Sequence, residues 1–117
     1  MEKVQLLHNP RCSKSRQALA LLEDRGVKVD IIRYLETPLS LDELKRLAEK
    51  LEQPVSAMIR RKEPEYKEAG LTNDSSDDEI LTAIARFPKL LERPIAIRGN
   101  RAIIGRPPEN VLKLLND

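Results

Sequence analysis

The sequence predicts an α/β fold with a mixed β-sheet and a helical insertion, on three observations. Two apolar runs, 3–7 and 27–35, flank a stretch with helical spacing, and such a strand–helix–strand unit pairs its strands in parallel. Gly99-Asn100 is a strong hairpin signal, which adds an antiparallel pair. Residues from about 40 to 88 show helical stripes that need this sheet to pack against. We therefore expect one domain over 1–117.

The first predicted strand is "KVQLL" (3–7), which stops at the turn signal Asn9-Pro10. A helix is expected from about 13 to 24, and Gly26 supplies its C-terminal stop. "VKVDIIRYL" (27–35) is then expected to form a second, buried strand.

Two capping boxes mark helix starts in the middle of the chain. Ser40 with Glu43, and Ser76 with Glu79, have the spacing at which side chain and backbone cap each other. A short helix is expected at 54–61 between them, with proline at its start.

The last third predicts two short strands and a helix. The strands lie within 94–108 on either side of Gly99-Asn100. Pro107-Pro108 then opens a final helix whose apolar face includes Val111 and Leu114.

Composition excludes several classes of protein. The chain has 117 residues and a net charge of +2 with interleaved signs, which does not suggest a nucleic-acid partner. It has no apolar run long enough to span a membrane and no signal-peptide pattern. A single cysteine cannot form an internal disulfide, which favours a reducing compartment, by default the cytoplasm. No oligomer signal is present, and a monomer is expected.

Cys12, the only cysteine, lies at or just before the first predicted helix. The free N–H groups and partial positive charge of a helix N-terminus stabilise a thiolate, which is the nucleophilic form of cysteine. Several neighbours offer positive charge or hydroxyl groups to that sulfur: His8, Arg11, Ser13, Lys14, Ser15 and Arg16.

The alternative is that Cys12 is a small buried hydrophobic residue, as many free cysteines are. Its polar neighbours and the preceding turn favour the reactive interpretation. His8 alone is as compatible with a hydrogen-bonded structural role as with catalysis. One cysteine and one histidine do not make a metal site, and none is expected.

Three arginines are candidates for binding an oxyanion. Arg93 and Arg106 each precede a proline at the edges of the predicted hairpin, where they can meet the end of the first strand. Arg60, at the end of a short helix, is a third. The planar guanidinium group suits tetrahedral oxyanions, although most arginines taken singly are solvated surface.

Almost the whole chain, from 4 to about 115, resembles the arsenate reductase family of the glutaredoxin-linked ArsC type, within the ArsC/Spx superfamily. The signature His-Asn-Pro-x-Cys-x-x-Ser-Arg is matched by "HNPRCSKSR", and "RYLETP", "MIRRKE", "ERPIAI" and "GRPPE" follow downstream. The "SKS" after Cys12 and the short C-terminal end are more similar to a YfgD-like subgroup, whose members act on another oxyanion or weakly on arsenate.

The resemblance implies a thioredoxin-like fold with a helical insertion and assigns roles to residues. Cys12 matches the nucleophile, and Arg60, Arg93 and Arg106 match the oxyanion-binding arginines. Further matches are His8 with the residue thought to favour the thiolate, Ser15 with the residue that bonds the sulfur, and Pro94 with the cis-proline of the fold.

The resemblance also implies the reaction. Arsenate binds, the cysteine forms a thiol–arsenic adduct, glutathione attacks it, glutaredoxin resolves the mixed disulfide, and arsenite is released. No bound cofactor is implied, and glutathione is a co-substrate. Because Ser15 stands where a Cys-x-x-Cys motif has its second cysteine, the resolving thiol has to come from outside.

Two other functions stay open on the sequence. The same thiolate serves a reductase or transferase that acts on another substrate. A redox-linked regulator that binds RNA polymerase is also compatible with the fold, although such regulators usually carry the Cys-x-x-Cys switch that this chain lacks.

Overall fold

Strand β1 (Val4–Leu7) lies inside a four-stranded sheet of order β2-β1-β3-β4, in a computed structural model that describes residues 3–115. It pairs in parallel with β2 (Val29–Ile32) and antiparallel with β3 (Ile95–Arg98). Strand β4 (Arg101–Ile104) completes the hairpin with β3. The mixed sheet predicted from the sequence is confirmed.

One face of the sheet is covered by α1 (Ser13–Asp24) and by 3₁₀ turns at Pro108–Leu115. Because side chains alternate along a strand, Val4 and Leu6 of β1 share this face. They are fully buried with residues of the two covering segments, namely Ala18, Leu22, Val111 and Leu114.

The segment between β2 and β3 is helical and covers the other face. It contains α2 (Leu41–Lys50), α3 (Pro64–Glu68) and α4 (Asp77–Arg86), with 3₁₀ turns at Val55–Met58 and Pro88–Leu90. Their apolar side chains bury Leu7, Ile95 and Ile104 of the sheet. Both predicted capping boxes are present, with serine side chains accepting from the N–H groups of Glu43 and Glu79.

Three expectations about elements were wrong. The second strand is shorter than 27–35 and is not buried, because the order of the sheet puts β2 at an edge and leaves Ile31 43% exposed. The helix expected at 54–61 is limited to one 3₁₀ turn at Val55–Met58. The final helix is 3₁₀ rather than α over Pro108–Leu115, although its apolar face is buried as expected.

Gly105 joins β4 to the last segment at a point of close approach. Its N–H donates to the carbonyl of Pro94 at 2.8 Å. A Cβ atom at this position would lie 2.8 Å from Pro94 Cγ and 2.9 Å from Val111 Cγ1. Neither a proline ring nor a β-branched side chain moves aside easily, so the contact requires glycine.

We expect Gly105→Ala to lower the free energy of unfolding by about 1–3 kcal/mol, because the added methyl overpacks this contact. Urea unfolding followed by circular dichroism measures the change. An unchanged midpoint would show that the contact relaxes at little cost.

Candidate active site

The loop between β1 and α1 carries the cysteine and is tied by its own hydrogen bonds. Asn9 Oδ1 accepts from the N–H of Arg11 at 3.0 Å, and the Asn9 carbonyl accepts from the N–H of Cys12 at 3.0 Å. Arg16 of α1 reaches back with Nη1 to the carbonyl of Pro10 at 2.8 Å. These bonds fix the position of Cys12 relative to the helix.

Cys12 is the N-cap residue of α1, where the sequence predicted it. Its backbone is extended, its carbonyl accepts from the N–H of Arg16 at 3.0 Å, and its side chain makes no capping bond. The residue is 9% exposed, and its Sγ lies 3.6 Å from Nη2 of Arg106. The sulfur therefore lies between the N-terminus of a helix and a guanidinium group.

His8 and Ser15 form a buried pair beneath this loop. His8 Nδ1 and Ser15 Oγ are 2.6 Å apart, and Ser15 Oγ also accepts from the N–H of Asn9 at 3.1 Å. Burial first, and then the positive charges of Arg33 and Arg16, lower the pKa of His8, so its imidazole is neutral at pH 7.

The Ser15 hydroxyl bonds to His8 and Asn9 in the structure. Within residues 3–115 we find no hydrogen bond from this hydroxyl to Cys12, although the family resemblance places Ser15 against the sulfur. Ser15 and neutral His8 thus stabilise the cysteine loop by hydrogen bonding.

The three predicted arginines share one neighbouring carboxylate, that of Glu92. Glu92 Oε1 lies 3.0 Å from Nε of Arg106, 3.9 Å from Nε of Arg60 and 3.2 Å from the backbone N–H of Arg93. Arg106 Nε also donates to the carbonyl of Arg93 at 2.8 Å. Arg60 has a second ion pair with Glu63 at 2.7 Å.

Arg93 differs from the other two because its Nε is buried and has no hydrogen-bond partner in the part of the chain that the structure describes. Buried donors are normally satisfied, so this N–H group is a donor available to a molecule bound in the adjoining cleft. The bond between Arg93 and Pro94 is cis, as the family resemblance implies.

A cleft of about 430 Å³ opens beside the cysteine loop. Its charged lining carries both signs, with arginines and a lysine outnumbering the two glutamates. The lining residues are His8, Asn9, Pro10, Arg11, Arg33, Tyr34, Leu35, Glu36, Arg60, Glu63, Lys89 and Arg93. The volume falls within the range of small-molecule sites.

Sequence reasoning missed Tyr34 and Glu92. Tyr34 is 1% exposed, lines the cleft and is close enough to Cys12, Arg60, Arg106 and Glu92 for their charges to act on its hydroxyl. Burial raises the pKa of its hydroxyl, which stays neutral and able to donate. Both residues lie in the quoted stretches "RYLETP" and "ERPIAI", but nothing in their local pattern separates them from strand and loop residues.

Two further classes of site were searched over residues 3–115. These residues contain no group of three or more histidine, cysteine or acidic side chains placed to hold a metal ion. None of their helices has the length and apolar character that crossing a membrane requires.

The chain resembles known proteins over nearly its full length. A Neisseria meningitidis protein named arsenate reductase is 48% identical over 117 residues, covering 98% of this chain and 100% of the relative. The uncharacterized protein YfgD of Escherichia coli is 42% identical, covering 97% of this chain and 98% of the relative.

Solved structures and a family model agree with these relatives. A structure named arsenate reductase from Vibrio cholerae superposes with a TM-score of 0.88 at 50% identity, covering 96% of this chain and 97% of that chain. The structural neighbours are ArsC-type, thioredoxin-like proteins, so the predicted fold class is confirmed. The model of the ArsC family matches residues 7–114. The chain belongs to the ArsC family.

Proposed function

We propose that this chain is a glutathione- and glutaredoxin-dependent arsenate reductase with Cys12 as its nucleophile. The observation that carries the proposal is the 3.6 Å contact between Cys12 Sγ and the guanidinium of Arg106, within a cluster that includes Arg60 and Arg93. Relatives named arsenate reductase, at 36–48% identity, support the choice of substrate.

The first step joins the sulfur to arsenic. The Cys12 thiolate attacks arsenate, an S–As bond forms, one As–O bond breaks, and the departing oxygen leaves as water after protonation. Arg60, Arg93 and Arg106 offset the negative charge of the oxyanion and of the transition state. The orphan Nε of Arg93 supplies a donor that has no other use among the described residues.

Reduction then requires two thiols from outside, because the sequence has a single cysteine. Glutathione attacks Cys12 Sγ of the adduct, so an S–S bond forms, the S–As bond breaks with its electron pair left on arsenic, and arsenite is released. Glutaredoxin then attacks the glutathione sulfur of this mixed disulfide, the S–S bond to Cys12 breaks, and the Cys12 thiolate is restored. The two external sulfurs end as a disulfide, and their two electrons reduce arsenic from +5 to +3. Overall, dihydrogen arsenate and two thiols become arsenite, one disulfide and one water.

The cleft supports a small thiol co-substrate. Arg11, Arg33 and Lys89 offer positive charge to its carboxylates, while Glu36 and Glu63 offer negative charge to an ammonium group. Because such a pathway needs reduced thiols, we place the protein in the cytoplasm, acting as a monomer.

We assign His8 and Ser15 a thiolate-supporting role. Their 2.6 Å contact, together with the bond from Asn9, holds the loop that keeps Cys12 at the N-terminus of α1. The effect depends on a neutral imidazole that pairs with the hydroxyl.

We expect Cys12→Ser to lower arsenate reduction at least about a thousandfold, because serine is not a nucleophile at neutral pH. Arsenite formed with glutathione and glutaredoxin is the measurement. Ser56→Ala, at an exposed serine in the 3₁₀ turn Val55–Met58, is the control and keeps the wild-type rate. A wild-type protein that yields no arsenite with either thiol donor rules out the substrate assignment.

We expect Arg106→Ala to lower kcat/KM for arsenate by about 10²–10³-fold, the usual effect of removing one oxyanion donor. Arg106→Lys recovers part of the loss, since lysine restores charge without the planar fork. Arg46→Ala, on the exposed surface of α2, is the matched control. Equal activity of the Arg106 and Arg46 variants contradicts the role of Arg106.

We expect acid to destabilise the protein through His8. Its folded pKa lies below the ordinary value of 6.5, so the unfolded chain binds the extra proton first. This contribution to stability is present above pH 6.5 and is lost as pH falls toward the folded pKa. Urea unfolding at pH 7.5 and 5.5 should show a smaller loss for His8→Asn than for wild type. An equal loss in both proteins contradicts a buried neutral imidazole.

A further inference from the structure

Glu92 places a carboxylate inside a cluster proposed to bind an anion. Its Oε1 contacts Arg106 and Arg60 and accepts from the N–H of Arg93. The Glu92 backbone is held in turn, since its N–H donates to the carbonyl of Met58 at 2.7 Å. The negative charge is therefore a built feature of this cluster.

The second oxygen of this carboxylate remains available. Among residues 3–115, no hydrogen bond to Glu92 Oε2 is found, while Oε1 makes the contacts with the arginines. The side chain is 21% exposed, so an incoming molecule can reach it. A carboxylate oxygen in this state is an acceptor without a hydrogen to donate.

A carboxylate beside a bound oxyanion discriminates between oxyanions that carry a proton and oxyanions that are fully ionised. A protonated tetrahedral oxyanion such as hydrogen arsenate or hydrogen phosphate donates its hydroxyl hydrogen to the carboxylate, in a charge-assisted hydrogen bond. Sulfate is fully ionised at neutral pH and has no hydrogen to donate. From Glu92, sulfate would therefore meet charge repulsion and an acceptor to which it has no hydrogen to donate.

We propose that Glu92 is a specificity-determining residue, which accepts the hydroxyl hydrogen of a protonated tetrahedral oxyanion and excludes fully ionised ones such as sulfate. The inference rests on the proposed function only in that it places the oxyanion among Arg60, Arg93 and Arg106. The competing explanation is that Glu92 only positions the arginines. In that case its loss weakens all tetrahedral oxyanions alike.

The test measures binding without turnover. In the full-length Cys12→Ser protein at pH 7.5, calorimetry gives the Kd for arsenate, phosphate and sulfate. We expect sulfate to bind at least about tenfold more weakly than arsenate and phosphate, and Glu92→Gln to shrink that ratio at least about tenfold, mainly by strengthening sulfate. Glu52→Gln removes a carboxylate paired with Arg101 at 3.1 Å, away from the cluster, and should leave the ratio unchanged.

A pH series on the same protein gives a second measurement if Glu92→Gln folds poorly or binds no oxyanion. Burial raises the pKa of Glu92, opposed by Arg106 and Arg60, so its carboxylate protonates at higher pH than an ordinary glutamate. Sulfate should then bind more tightly as pH falls from 8 to 5. Over that range the Tyr34 hydroxyl, whose pKa is raised by burial, stays neutral.

His8 lines the same cleft and also titrates in acid, so Cys12→Ser/His8→Asn is the control for its contribution. The sulfate response should persist in that double variant. Sulfate binding as tight as phosphate at pH 7.5, equal weakening of all oxyanions by Glu92→Gln, or a sulfate Kd that does not change with pH each overturns the proposal. These binding measurements do not depend on arsenate reduction. If the Cys12→Ser protein discriminates against sulfate but the wild-type protein forms no arsenite, the proposed function is refuted and this inference stands.

Discussion

The antiparallel pairing of β1 with β3 is the constraint on which the site depends. Leu7 at the end of β1 lies opposite Ile95 at the start of β3, and Ile95 lies opposite Ile104 at the end of β4. The chain leaves β1 toward Cys12, enters β3 from Arg93 and leaves β4 toward Arg106, and these three points lie at the same end of the strands. The contact between Cys12 and Arg106, across 94 positions of sequence, follows from this register.

Packing against two hydrophobic cores holds this end of the strands in place. Val4 and Leu6 bury one face of β1 against α1, and Leu7 buries the other against the helical segment, so β1 cannot shift without exposing one of them. Gly105, which precedes Arg106, adds a close contact with Pro94, which follows Arg93. The sulfur and the guanidinium are thus held by two cores rather than by their own weak interaction.

How much the sequence predicts depends on the range of the interactions involved. The two capping boxes, α1, the hairpin at Gly99-Asn100 and the position of Cys12 rest on local patterns, and all were predicted. The edge position of β2 was not, because an apolar run such as "VKVDII" does not tell which strands flank it.

Arg60 shows why the sequence could not predict that the candidate site residues come together. Its N–H donates to the carbonyl of Leu90, and Ile59 bridges Leu91, so two segments about 30 residues apart in sequence bring it beside Glu92. No local pattern encodes that pairing. Once it forms, the same bridge brings Glu92 to the arginines, because the Glu92 N–H donates to Met58. Arg60 and Glu92 are therefore both placed by this short β-bridge, whereas Arg93 and Arg106 are placed by the pairing of β3 with β1 and β4. On the roles proposed for Arg60 and Glu92, a change in this bridge alters oxyanion affinity and selectivity together, whereas on the role proposed for Cys12 a change there alters the chemical step alone.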